Sequence, residues 1–424
     1  MDAVQGLFDF IKNSPTAFHA VNNICQMLDE AGYMRLEEGQ SWHTRPGGRY
    51  YVTRNLSSVI AFRLPEIAPD HFQVVASHSD SPCFKLKPAF DRKARGYALL
   101  NAEKYGGAIL STWFDRPLSV AGRVIVRTDE GFEAHLVSID RDLALIPNLP
   151  IHFNREVNDG MKLNPQVDLV PICGAEGTDL LGLIAGSIEV EKTQIVGSDL
   201  FLINRDAPRR WGADGEYITA PRLDDLECAW TSTRAFIEAA QSRHVDVLCV
   251  FDNEEVGSGT RQGADSTFLA DTLRRLSPAP ETALARSFLL SADNAHAIHP
   301  NHPEKYDDEN QVRMNGGVVV KFNASQKYTS DGVSQAVFEA VCRDANVPVQ
   351  RFANRSDIPG GSTLGNISNT HASMISVDIG LAQLSMHSAN ESAGARDVLH
   401  MIDALRTFHE SEIDVVRDGL IRVN

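Results

Sequence analysis

Four short apolar runs, each leading straight into acid or histidine, constrain this chain more than any other feature. Phe72-Gln73-Val74-Val75-Ala76-Ser77 runs into His78 and Asp80, and Val245–Phe251 into Asp252-Asn253-Glu254-Glu255. Phe288–Ala292 runs into Asp293, Ala295 and His296, and Met374–Val377 into Asp378. Such runs are too short for buried helices and suit strands covered on both faces, as in a parallel sheet between helices. Ligands of open α/β sheets bind beyond the carboxyl ends of the strands. The polar residues after these runs are therefore expected to converge at one sheet edge.

Helical patterns lie between the strands. Asn13-Ser14-Pro15-Thr16 offers a cap and a proline, after which Phe18, Val21, Cys25 and Leu28 recur at helical spacing until Gly32. Further helices are predicted from Asp225 to Gln241 and from Val333 to Ala345, and strands at Tyr50–Val52 and Val59–Phe62. From Lys87 to Ala220 the texture changes to short alternating segments, such as Arg123-Val124-Ile125-Val126-Arg127, between Gly, Pro, Asp and Asn clusters. A chain of 424 residues exceeds what one hydrophobic core usually serves. The expected division is a discontinuous α/β domain, 1–86 with 221–424, carrying a β-rich insertion at 87–220.

A formal charge of −16 argues against nucleic acid and anionic membrane as partners, because phosphate binding needs clustered Lys and Arg. It leaves acidic small ligands open, since these respond to the field of their own pocket. The cysteines (25, 83, 173, 228, 249 and 342) lack the close pairing of a thiolate zinc site or a small disulfide scaffold. The start of the chain has no basic region followed by an apolar core, and no stretch approaches the ~18 apolar residues of a membrane span. The sequence predicts a reduced, cytoplasmic, soluble protein.

Two more segments join the candidate site: Asp224 in Pro221-Arg222-Leu223-Asp224-Asp225, and His387 in Gln383-Leu384-Ser385-Met386-His387-Ser388. Two histidines among several carboxylates suit catalytic zinc with an open position, not a closed structural site. A bridging carboxylate, with a terminal His and a terminal carboxylate on each of two ions, can be drawn from this set. Two such ions stand about 3.5–4 Å apart in hydrolases and activate water together. The adjacent Glu254-Glu255 pair can divide metal binding from proton transfer. Plainer explanations compete: a helix cap at Asp224 or, better, Asp225; a solvated turn at Glu254-Glu255; an Asx turn at Asp80 before Pro82; a capping role for Asp293.

At this point a resemblance becomes specific. Ser77-His78-Ser79-Asp80-Ser81-Pro82-Cys83, Arg222-Leu223-Asp224, Asp252-Asn253-Glu254-Glu255-Val256-Gly257-Ser258, Ser291-Ala292-Asp293 with Ala295-His296, and Met386-His387-Ser388 together resemble the M18 aspartyl aminopeptidase family. The motifs occur in the family order and span most of the chain. The resemblance implies a zinc-peptidase (phosphorylase/hydrolase-like) α/β sandwich whose insertion, 87–220, is a dimerisation domain. It implies that His78 and Asp293 bind one zinc, Glu255 and His387 the other, and that Asp224 bridges them. Glu254 becomes the general base, and Asp80 the support of His78. Cobalt or manganese can replace zinc.

Val320-Lys321-Phe322-Asn323 and Gln326-Lys327-Tyr328 resemble the family's substrate-contacting stretch, which implicates Lys321 and Tyr328; His296 matches another substrate contact. Lys321 is the expected cation for a substrate side-chain carboxylate. His152, in Ile146-Pro147-Asn148-Leu149-Pro150-Ile151-His152, resembles a residue that reaches a neighbouring subunit's active site, and the implied assembly is a dodecamer built from dimers. The implied substrates are peptides with N-terminal Asp or Glu. This sequence departs from the family at Asn294, Asn390, Asp225 and Gly360; Asn294, beside Asp293, stands where it would line the pocket for the first side chain. Two other readings stay open: a dizinc aminopeptidase or deacylase of different specificity, and a non-catalytic peptide-binding assembly.

Overall fold

A computed structural model describes residues 2–68 and 70–424. Its centre is a nine-stranded sheet in the order 34–36, 49–54, 58–63, 245–251, 72–78, 288–292, 375–380, 318–322, 349–353. The four strands from 245–251 to 375–380 run parallel. Their neighbours 58–63 and 318–322 are antiparallel to them, so the sheet is mixed where the sequence suggests a parallel one.

The apolar runs work as expected for strands buried on both faces. Val75, Leu248, Leu290 and Val377 join one core with the helices Ala3–Asn13, Ala17–Glu30, Leu223–Glu238, Gly332–Asp344 and Asp397–Glu410. Val74, Ala76, Val247, Cys249 and Leu289 face the other way, onto Phe268–Leu276, Pro280–Ala285 and Leu364–Ser368. The period of two along each strand thus feeds two cores. The helix Asp397–Glu410 shows the matching period, burying Val398, Met401, Ile402, Leu405 and Phe408. Each such side chain contributes about 1.5–3 kcal/mol when fully buried.

Residues 83–204 build a second, six-stranded antiparallel sheet around a separate core that includes Phe84, Leu100, Trp113, Val120, Val124 and Leu202. The strands Arg209–Trp211 and Tyr217–Ala220 do not join it. They pair with each other, and Tyr217–Ala220 pairs in turn with Glu391–Gly394, in a third sheet that also holds Ala382–Leu384 and Ala295–His296. All six cysteines are unpaired. Among the described residues no helix is long and apolar enough to cross a membrane.

Two local expectations change. The last parallel strand continues through Gly380, so Asp378 is not at its carboxyl end; it pairs with Ser291 and its carboxylate accepts from Thr329 and Thr363. Asp225 does not cap the following helix, because its Oδ2 accepts the backbone N–H of His78 at 3.0 Å.

Candidate metal centre

The carboxyl ends of neighbouring parallel strands deliver the first side chains. Phe251 and His78 are register partners, so the turn after Phe251 and the imidazole of His78 emerge side by side. That turn opens at Asn253, a non-glycine residue with φ +62°, held by Thr260 Oγ1 and Gln262 Nε2, each donating to its side-chain oxygen at 2.8 Å. Left-handed backbone of this kind persists where its surroundings over-determine it. Arg222 (φ +60°) and His387 (φ +66°) show the same feature beside Asp224 and at the last histidine. The peptide between Asp224 and Asp225 is cis.

Asp293 arrives along the next strand. Its N–H donates to Ile379 O at 3.0 Å, where the chain crosses Gly380 so closely that a Cβ there would stand 1.9 Å from the Asp293 carbonyl oxygen. Only glycine permits that approach.

Seven residues converge: His78, Asp224, Asp225, Glu254, Glu255, Asp293 and His387. His78 Nε2 lies 3.6 Å from Asp224 Oδ1 and 3.8 Å from Asp293 Oδ1. His387 Nε2 lies 3.3 Å from Asp224 Oδ2 and 3.4 Å from Glu255 Oε1. The two oxygens of Asp224 therefore face different histidines. Glu254 Oε2 stands 4.0 Å from His78 Nε2. Candidate ligand atoms of His78, Asp224, Asp225 and Asp293, and of Asp224, Glu255 and His387, lie within 4.8 Å of one another. Asp224 Oδ1 and Glu255 Oε1 are buried with no hydrogen-bond partner. Buried carboxylate oxygens left in this state are costly unless a cation or proton meets them.

Surrounding groups fix these side chains. The His78 Nδ1–H faces the Asp80 carbonyl oxygen at 3.1 Å and its carboxylate at 3.3 Å, which leaves Nε2 free for a ligand role. Asp80 also accepts from Tyr105 O–H (2.7 Å) and from the N–H groups of Glu254 (3.1 Å) and Glu255 (3.2 Å). The competing Asx turn at Asp80 is absent among these partners; one carboxylate instead binds His78 to the Glu254-Glu255 turn. Glu391 does the same on the other side, accepting from His387 N–H (2.6 Å) and Asp224 N–H (2.9 Å).

Electrostatics follow from crowding acids under low exposure. Burial, then the carboxylates of Asp293, Asp80 and Asp224, outweighs His78 and pushes the Glu254 carboxyl up to about 8. Glu255 moves in the same direction, through burial and then Asp224. Burial also opposes ionisation of Asp224, but the imidazoles of His387 and His78 close to its two oxygens outweigh it and hold its pKa below the usual carboxylate range.

The expected substrate residues divide. Lys321 is only 2% exposed, and its ammonium donates to Asp293 O (3.0 Å) and Asn294 O (3.3 Å) and meets Asp293 Oδ2 at 3.4 Å. It is held against a candidate ligand and not presented to a pocket as a free cation. Tyr328 is buried with its ring 5.2 Å from Lys321 Nζ. His296 is half-buried at the end of its short strand, and burial, then Lys321, lowers its pKa. Asn294 is 3% exposed and donates to Glu227 Oε2 at 2.9 Å. Asn390 donates to Asp206 and Gly360 packs by Asn323 and Asn354. His152 is exposed on a loop of the 83–204 lobe, beside exposed Leu149, Ile151 and Phe153, and is not in the cluster.

Sequence reasoning missed Glu391 and Tyr105. An isolated acid in the small-residue run Glu391-Ser392-Ala393-Gly394 is a usable signal for the first. Tyr105 lies in the 83–204 lobe and meets Asp80 only through the tertiary fold.

A family model described as aminopeptidase I zinc metalloprotease (M18) matches residues 10–409. The probable M18 family aminopeptidase 2 of Clostridium novyi (strain NT) is 43% identical over 421 residues, covering 95% of this chain and 97% of its own. Its namesake in Pseudomonas entomophila (strain L48) is 40% identical over 419 residues, covering 96% and 97%. The cryo-EM structure of the Ape4 and Nbr1 complex contains a chain 35% identical, with TM-score 0.94 over 96% of this chain and 85% of that one. Crystalline yeast aminopeptidase 1 (Ape1) is 28% identical, with TM-score 0.86 and 96% of each chain covered. The mApe1 dodecamer from S. cerevisiae is 27% identical, with TM-score 0.84 and the same coverage.

Proposed function

The chain belongs to the aminopeptidase I zinc metalloprotease family, M18, and from that premise we propose that it removes N-terminal Asp and Glu residues from peptides with two zinc ions per chain. The observation that carries the two-ion reading is the position of Asp224, with one oxygen toward His78 and the other toward His387. The donor set fits: two imidazoles, carboxylates with orphaned buried oxygens, and no thiolate among the converging groups. His78 and Asp293 would hold one ion, Glu255 and His387 the other, and Asp224 both. Zinc bound there would supply Lewis acidity and lower the pKa of water toward about 7. Cobalt and manganese suit the same donors.

The chain's own residues then do the rest. Glu254 reaches the centre without being one of the five proposed ligands, and bound cations would offset the acids that raise its carboxyl, leaving a carboxylate to take the proton from the attacking water and return it to the leaving amine. Asp80 orients His78 and the Glu254-Glu255 turn, Glu391 orients Asp224 and His387, and Lys321 fixes Asp293. The carboxylates at the mouth attract a substrate's α-ammonium, which restricts cleavage to the first peptide bond. The acidic preference is supported by the resemblance of the stretches around Lys321 and Tyr328 and by His296. With Lys321 committed to Asp293, its charge would favour an acidic side chain through the field of the pocket.

The same premise extends to architecture. Residues 1–86 and 221–424 would form the catalytic domain and 87–220 the dimerisation domain of a cytoplasmic dodecamer, with His152 completing a neighbour's site. The exposed apolar side chains around His152 favour a protein surface there.

One experiment tests the core of this reading: hydrolysis of aminoacyl substrates with Asp, Glu, Asn, Leu, Ala and Lys, after chelation and reloading with zinc, cobalt or manganese. We expect activity to vanish and return with metal, and Asp and Glu to lead. A Leu preference would overturn the acidic specificity, and full activity in the chelated protein would overturn the metal mechanism.

A further inference from the structure

The opposite edge of the central sheet carries a second cluster of imidazoles that the peptidase chemistry does not use. His71 precedes the strand Phe72–His78, His244 precedes Val245–Phe251, and Glu412 precedes the C-terminal hairpin strand Ile413–Arg417. His71 is 5% exposed and His244 fully buried, with ring centroids 5.2 Å apart.

Each ring has one nitrogen tied to a carboxylate and the other without a partner. His71 Nδ1 meets Asp70 Oδ1 at 2.7 Å, and its Nε2 is buried and unpaired. His244 Nε2 meets Asp246 Oδ1 at 3.0 Å, and its Nδ1 is buried and unpaired. Glu412 Oε1 lies 3.7 Å from His244 Nδ1, too far for a hydrogen bond, and among the described residues accepts only the N–H of Arg243 at 2.9 Å. One candidate ligand atom from each of the three residues lies within 4.8 Å of the other two. The two outer carboxylates are themselves anchored, Asp70 by Arg286 and Asp246 by Arg63.

We propose that His71, His244 and Glu412 form a further divalent-metal site, separate from the catalytic centre, that takes a zinc-like ion through two imidazole nitrogens and one carboxylate. A carboxylate on the far nitrogen fixes the tautomer and raises the basicity of a metal-bound imidazole, and both rings have one. Two imidazoles and a carboxylate are a zinc donor set, with water filling the remaining position. The ion would clamp the starts of two central strands to the C-terminal hairpin. Its role is structural, since the conformation it would stabilise lies at the sheet edge away from Glu254.

Zinc is the probe, and three readouts on the full-length protein decide. Crystals equilibrated with micromolar zinc should show anomalous density among His71 Nε2, His244 Nδ1 and Glu412 Oε1. His71→Gln should hold about one fewer zinc per chain than the wild type and lose part of the zinc-dependent rise in thermal midpoint. Its kcat/KM should stay within about twofold, because the catalytic ligands are distant and share no partner with it. Glu412→Gln, at a half-exposed position, serves the same purpose if His71→Gln folds poorly. Water or no density at the three atoms, with unchanged zinc content in both variants, would overturn the proposal. So would density seen only at millimolar zinc without any change in thermal midpoint.

Discussion

The two ends of the same pair of strands carry histidine and acid in opposite arrangements. At the carboxyl end, His78 and the turn after Phe251 gather acids whose side chains keep some exposure, 14% for Glu254 and 13% for Asp293. Backbone there adopts left-handed conformations, and carboxylate oxygens are left unpaired. At the amino end, Asp246 is 1% exposed and fully engaged. Its oxygens accept from Arg63 (2.9 Å), Ser242 (2.8 Å), His244 (3.0 Å) and His409 (3.1 Å). The comparison separates two uses of buried charge. A carboxylate whose oxygens are both met, as in Asp246 at this closed end, holds strands in place, although the far nitrogens of its partners His244 and His409 stay unpaired among the described residues. Carboxylates left under-satisfied, as at the other, open end, await ligand and substrate.

The largest expected effect tests the open end. Glu254→Gln keeps the shape and removes the proton acceptor, so kcat should fall by about 10²–10⁴-fold. Zinc content and thermal midpoint should stay near the wild-type values, because Glu254 is not among the five proposed ligands. Steady-state kinetics with metal analysis reads both, and near-normal turnover would remove Glu254 from the mechanism.

The closed end should respond in stability instead. Asp246→Ala strands the buried Arg63 guanidinium, 1% exposed, together with two imidazoles. Breaking a buried ion pair by removing one partner costs about 3–5 kcal/mol. Denaturant unfolding should show a loss of that size, while the folded fraction retains its kcat. A loss below about 1 kcal/mol would mean that the network is no more than surface-like in strength.

Lys321 joins the two behaviours, being satisfied like the closed end but placed at the open one. Its contacts to Asp293 predict that Lys321→Met lowers kcat/KM for Asp and Leu substrates together, with a loss of roughly 10–100-fold in metal affinity. A selective loss of Asp hydrolysis at unchanged zinc affinity would return Lys321 to direct recognition of the substrate carboxylate.

The difference between the two ends also explains what could be read from sequence. Strand runs such as Val245–Phe251 were legible because burial on both faces leaves a continuous apolar signature, and their carboxyl ends locate His78, Glu254, Glu255 and Asp293. The spatial neighbourhood of Asp224 and His387 needed motif resemblance, since neither follows one of those runs. Asp378 looked equivalent to Asp293, but the strand continues past it to Gly380, and a boundary set by hydrogen bonds leaves no mark in composition. Lys321 reads in the sequence as the candidate cation for a substrate carboxylate, and nothing there reveals that Asp293 O and Asn294 O take its protons. Glu391 and Tyr105 act through backbone N–H groups and a carboxylate distant in the chain, contacts with no local pattern at all.

The smallest effect is the sharpest test of the comparison. His71 and His78 stand at opposite ends of one strand, seven residues apart, or roughly 23 Å at the usual rise of about 3.3 Å per residue. Substitutions more than about 7–10 Å apart without shared partners add within about 0.3–0.5 kcal/mol. No partner of Asp246 is a partner of Glu254 in the described structure. A double-mutant cycle in unfolding free energy, with Asp246→Asn as the milder change at the closed end and Glu254→Gln at the open end, should therefore give a coupling indistinguishable from zero. The measurement is best made at fixed zinc, because occupancy at either end shifts stability by mass action. Coupling above about 1 kcal/mol would show that the strands transmit strain along their length, making the two ends one cooperative unit.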